Sequence, residues 1–125
     1  MKSQPTKYGY PLNQWNAAKE EIKQILIEIA KNRQTITYSD LVRKVNTINF
    51  EPVSYGLSAM LGEISSEEYI AGRGMLTAVV VLKDDGIPGS GFFELARALG
   101  KSFPDELKFW VDELNKVYSY WRVNG

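Results

Sequence analysis

Apolar residues recur at two different periods along this chain. From Trp15 onward Ala18, Ile22, Ile25, Leu26 and Ile29 fall three and four apart through Lys31, which predicts a long amphipathic helix with Asn13 as its N-cap. A short β-prone run, Thr35-Ile36-Thr37, leads into 37-TYSDLVRKV-45. There Thr37 followed three residues later by Asp40 resembles a capping box, and Leu41 with Val45 gives a second helix its apolar stripe. Pro52 suits the first turn of a third helix, whose buried face is Leu57, Met60, Leu61 and Ile64 and which ends near Gly72. The continuous β-branched run 75-MLTAVVVLK-83, bounded by Gly74 and by Asp84-Asp85-Gly86, predicts one central strand buried on both faces. Phe92, Phe93, Leu95, Ala96 and Leu99 read as a short helix stopped by Gly100. Ser102 and Pro104 then open a last helix with the stripe Leu107, Trp110, Val111, Leu114, Val117 and Trp121.

Residues 1–12, rich in Pro, Gly and Tyr and without period, read as an N-terminal arm; no repeat or Gly/Ser linker divides 13–125. At 125 residues the chain has the size of one domain. The expected fold is α+β and mostly helical: a winged-helix-like three-helix core with a small β element and two extra C-terminal helices.

Composition narrows the chemistry. The chain has no cysteine and no histidine, which removes thiolate nucleophiles, zinc-thiolate sites and the commonest general base. No catalytic constellation, cofactor motif or metal set is recognisable, and the reading is non-enzymatic. No apolar run is long enough to cross a membrane and the N-terminus lacks a signal-peptide core, so the expected location is the cytoplasm. A formal net charge of zero hides an uneven distribution. Residues 1–35 hold six Lys/Arg, among them Lys2 and Lys7, against three Glu, whereas residues 46–70 hold four Glu and no base. An anionic partner would meet the N-terminal third first.

Four features invite a functional reading. The loop 86-GIPGSGFF-93 sets Gly86, Pro88, Gly89, Ser90 and Gly91 before a helix, as a phosphate cradle would. It lacks the Lys-Ser/Thr pair of a P-loop, and Asp84, Asp85 and Glu94 flank it, so a tight turn that brings Phe92 and Phe93 to the core is favoured. Ser90 as a nucleophile would need Lys83 or Lys101 beside it. Glu63, Glu67 and Glu68 can be read as a magnesium or calcium site or, more simply, as the solvated side of a helix. Tyr8, Tyr10 and Trp15 can stack on bases, or fold the arm over the last helix and its Trp110, Tyr118, Tyr120 and Trp121.

The segment Ile36-Thr37-Tyr38-Ser39-Asp40-Leu41, with the helix, strand and glycine loop that follow to about residue 91, resembles the winged-helix domain of the O6-alkylguanine DNA alkyltransferases and alkyltransferase-like proteins. The resemblance implies a DNA-binding scaffold in which Tyr38 occupies the place of a tyrosine that helps rotate a base. The family's reactive cysteine has no counterpart in 75–83, and the arginine of its recognition helix has none in 53–70. Alkyl transfer is excluded, and base rotation lacks its arginine. The 86-GIPGSGFFELA-96 stretch also resembles a signature of small bacterial proteins, a likeness that implies no activity. The expectation is a non-catalytic protein associated with DNA through Arg33, Tyr38, Arg43, Lys44 and Arg73. The alternative is a protein-interaction module or homodimer that binds no nucleic acid.

Overall fold

The computed structural model describes residues 5–125; Lys2 lies outside them. Among the described residues the fold is α+β and mostly helical, with five helices and two short two-stranded sheets. The N-terminal arm opens as a hairpin of β1 (Thr6–Lys7) and β2 (Tyr10–Pro11), paired Thr6 to Pro11 and Lys7 to Tyr10. Its two turn residues, Tyr8 and Gly9, have φ of 53° and 86°, the positive values that a tight two-residue hairpin turn demands.

The hairpin runs directly into α1 (Leu12–Lys31). Pro11 stands at the cap in place of the expected Asn13, because Leu12 N–H already finds the Pro5 carbonyl at 2.9 Å. Asn13 falls in the first turn, where its side chain accepts from Gln14 N–H. Trp15, Ala18, Ile22, Leu26 and Ala30 form the buried face of α1, which packs against α5 (Glu106–Asn124) and the 76–81 segment.

The strand β3 (Ile36–Thr37) leads into α2 (Tyr38–Lys44), capped as expected by Thr37 Oγ1 accepting from Asp40 N–H at 3.1 Å. The third helix, α3 (Tyr55–Ile70), begins three residues after Pro52, at the Ser54 cap. Its buried face is the expected Leu57, Met60, Leu61 and Ile64, extended by Ser65 and Glu68.

The predicted strand over 75–83 is corrected. Leu76–Val79 forms a 3-10 turn, and only β4 (Val80–Val81) is extended, pairing in parallel with β3 as Ile36 to Val80 and Thr37 to Val81. Residues 75–81 of the run are buried as expected, while Leu82 and Lys83 are exposed, and helices α1, α3 and α5 pack around its 3-10 turn. A two-residue partner strand cannot satisfy a nine-residue ladder, so the remaining backbone closes its own bonds, as Ala78 N–H does onto the Met75 carbonyl at 2.9 Å.

After the loop comes α4 (Ser90–Ala98), stopped by Gly100 at φ +95°. Phe92, Phe93 and Ala96 join Met75 and Ala78 in a second cluster, over which Phe103 and Phe109 stack at 4.2 Å between centroids. The last helix starts at Glu106, later than Ser102 and Pro104 suggest, because Asp105 supplies the cap to Lys108 N–H. Its inner face is rotated from the expected stripe. Glu113, Val117 and Tyr118 are buried, whereas Leu107 and Val111 stay exposed. The aromatics of the arm do not fold over this helix: Tyr8 and Tyr10 stack on Trp15, Tyr55 and Phe50 instead.

Candidate functional site

The parallel pairing of β3 with β4 has a local consequence. It carries the start of α2 to the start of α4, and Tyr38 meets the glycine loop 51 residues away: Gly89 N–H donates to Tyr38 Oη at 3.1 Å. A Cβ at position 89 would sit 3.3 Å from that oxygen, a tight contact that glycine avoids. Gly86, at φ +69°, makes the reversal that precedes it, with Gly86 N–H bonded to the Leu82 carbonyl.

Between α3, α4 and the start of α2 lies a cleft of about 620 Å³, within the usual size of small-ligand sites. Leu57, Leu61, Phe92 and Leu95 give it apolar walls, Thr77 and Tyr38 add hydroxyl-bearing side chains, and the exposed Lys83 and Ser90 line it too. Among the described residues no carboxylate lines it. Val53 and Tyr55 project at the rim, 96% and 76% exposed. Burial pushes the Tyr38 phenol up from its ordinary value against the opposing Gly89 hydrogen bond, so the phenol keeps its proton. Its oxygen already accepts from Gly89, and that proton has no acceptor among the described residues.

Glycine also shapes the wall. Gly62 sits mid-helix in α3 and lines the cleft, and a Cβ there would meet nothing within 4 Å. An interior glycine weakens a helix by roughly 0.5–1 kcal/mol against alanine, so helix stability does not call for one here, and packing does not either. Gly62→Ala is expected to raise stability by about that amount in chemical denaturation; a loss would show that the space is not open.

The sequence-predicted cations are dispersed. Arg73 donates to Glu68 Oε2, and Lys23 Nζ lies 2.9 Å from Oε1 of the same carboxylate, which is 1% exposed. Arg43 pairs with Asp40 at 2.6 Å, and Arg33 lies over the Tyr118 ring at 5.1 Å. Lys44 pairs with no carboxylate among the described residues. The expected solvated face of α3 holds only for Glu67, which is exposed and pairs with Lys19; Glu63 is half-buried and binds Lys7, Lys19 and Trp15 Nε1, and Glu68 is buried. Among the described residues no acidic group is arranged to hold a metal ion. Ser90 and Lys83 line the same cleft, but no hydrogen bond joins them among the described residues.

No protein-family model matches the chain, and no curated protein or solved structure does either. The cleft therefore has to be read from its own chemistry. Sequence reasoning singled out Tyr38 and the glycine loop but missed Gly62, Ser65 and Thr77. Their signals were present: a glycine inside a helical stripe, and hydroxyls at Ser65 and Thr77 within otherwise apolar surroundings.

Proposed function

We propose that the protein is a non-catalytic, DNA-associated recognition module whose cleft accepts an already unstacked nucleobase. The observation that carries this reading is the meeting of Tyr38 with the glycine loop at an apolar cleft that no carboxylate lines among the described residues. Apolar walls suit the faces of a flat heteroaromatic ring, and a hydroxyl with an unused proton suits the acceptors on its edge. The exposed Lys83 of the cleft and Lys44 on α2 supply cations for a phosphate backbone. Without an arginine on α3 to fill a vacated stack, the partner is a single strand or an unpaired base rather than an intact duplex.

The test is fluorescence anisotropy with labelled single-stranded and duplex DNA at low and physiological salt. The wild type should prefer the single strand, with a shallow salt dependence because few phosphates are contacted. Gly62→Phe, which fills the cleft, should weaken binding at least tenfold while the melting temperature holds. Arg43→Ala/Lys44→Ala should lower affinity more modestly. An affinity unchanged by Gly62→Phe, or no binding at micromolar protein in low salt, would sink the reading. A second reading, docking of another protein or a second copy, is favoured by the exposed apolar rim of Val53 and Tyr55. Concentration-dependent mass in sedimentation, abolished by Val53→Asp, would support that one.

A further inference from the structure

Two buried hydroxyls beside the cleft carry one more proton than the protein can accept. Ser65 Oγ and Thr77 Oγ1 share a hydrogen bond in which either can donate, and Ser65 Oγ also accepts from Thr77 N–H at 3.1 Å. Each hydroxyl owns one proton. One proton occupies the shared bond, and the other has no acceptor among the described residues.

The two arrangements differ in where that spare proton is left. If Thr77 donates, the unused proton belongs to Ser65, which is completely buried and does not line the cleft. An unsatisfied donor there carries the desolvation penalty of a buried polar group. If Ser65 donates, the unused proton belongs to Thr77, which does line the cleft. Water can satisfy it when the cleft is empty, and a ligand atom can when the cleft is filled. The second arrangement is therefore preferred. Ser65 then does two things: it accepts the Thr77 backbone N–H, and by donating to Thr77 Oγ1 it leaves the Thr77 hydroxyl proton outside the shared bond.

We infer that Thr77 is a specificity-determining hydrogen-bond donor on the wall of the cleft, oriented by Ser65, and that the group bound there presents an acceptor, a ring carbonyl or ring nitrogen, to it. The inference rests on the nucleobase reading and names what that reading leaves open, the polarity of the buried edge. A ligand of the same shape without an acceptor would leave the Thr77 proton unpaired in a site from which water has been displaced. Such a ligand is rejected by the unmade bond rather than by shape.

The probe is a fluorescein-labelled single strand with one thymine in an otherwise abasic backbone, compared with the same strand carrying 2,4-difluorotoluene, a shape mimic of thymine with poor acceptors. The wild type should bind the thymine strand about tenfold more tightly, the size of one neutral hydrogen bond made in a desolvated site. Thr77→Val keeps the side-chain shape and removes the donor, and it should bind the two strands equally. Thr77→Ser should restore the preference, and thermal melting of each variant establishes that it is folded. Ser65→Ala should retain part of the preference, because the donor remains but loses its orientation. Equal affinity of the wild type for both strands, or an undiminished preference in folded Thr77→Val, would overturn the donor role while leaving base binding intact. Failure of every strand to bind the wild type would overturn both together.

Discussion

Replacing Lys23 and Arg73 together by methionine is expected to destabilise the protein by about 3–5 kcal/mol, because it strands a carboxylate in the core. Glu68 is 1% exposed, and the two cations lie against its two oxygens, each with about a quarter of its own side chain exposed. Burial alone would push the carboxyl up; the Arg73 hydrogen bond and the Lys23 ammonium outweigh it and hold the group below its ordinary value near 4.5. A fall of roughly 10–20 °C in Tm is the corresponding calorimetric signal. The triple variant Lys23→Met/Glu68→Met/Arg73→Met should recover most of the loss, since it removes the buried charge along with its partners. A triple variant as unstable as the double would show that the cations act through packing instead.

The pH dependence follows with opposite signs in the two proteins. In the wild type the folded carboxyl titrates below the unfolded one. Its contribution is therefore full above about pH 4.5 and is lost as pH falls through the lower folded value. In the double variant only burial acts on Glu68, so its folded value rises above the unfolded one and stability falls as pH climbs through that window. Difference curves of urea midpoint between pH 3 and pH 7 should diverge with rising pH. Parallel curves would mean that Glu68 does not titrate with folding.

The elements legible in the sequence are those whose causes are local. The period of α1, the Thr37 cap of α2 and the stop at Gly100 each depend on residues within a turn or two, and each is found where the pattern puts it. The 75–83 run failed for a non-local reason. Its β-branched residues do prefer extension, but the helices packed around its 3-10 turn and a two-residue partner strand decided its backbone. Charges failed in the same way. Arg73 and Glu68 are five residues apart and look like an ordinary surface pair, and only the packing of α3 against α1 brings Lys23 to the same carboxylate and buries it. The two halves of the cleft were each visible as residue types. That Tyr38 touches Gly89 depends on the β3–β4 register, which no short window of sequence contains.

Trp15→Ala is expected to cost about 3–5 kcal/mol and, beyond that, to unseat the N-terminal hairpin. The indole is fully buried, and its Nε1 donates to Glu63 at 3.1 Å. Tyr8 and Tyr10 lie on it with centroids 5.1 and 6.0 Å away, so the hairpin loses its platform when the ring is removed. Lys7, paired to Glu63 at 2.7 Å, is a second tether, but an ion pair with an exposed partner cannot hold two strands alone. Limited proteolysis should cut within residues 5–11 in Trp15→Ala under conditions where α1 to α5 retain their circular dichroism. Trp15→Phe, which keeps most of the packing and loses the Glu63 bond, should cost only about 1 kcal/mol and leave the hairpin protected. The consequence reaches the cleft, because Tyr8 packs at 5.3 Å against Tyr55 on its rim. With the hairpin released, Tyr55 loses that support, and single-strand affinity should weaken in Trp15→Ala at temperatures below its melting transition. Unchanged affinity together with a cleaved hairpin would separate the arm from recognition and confine its role to covering Trp15.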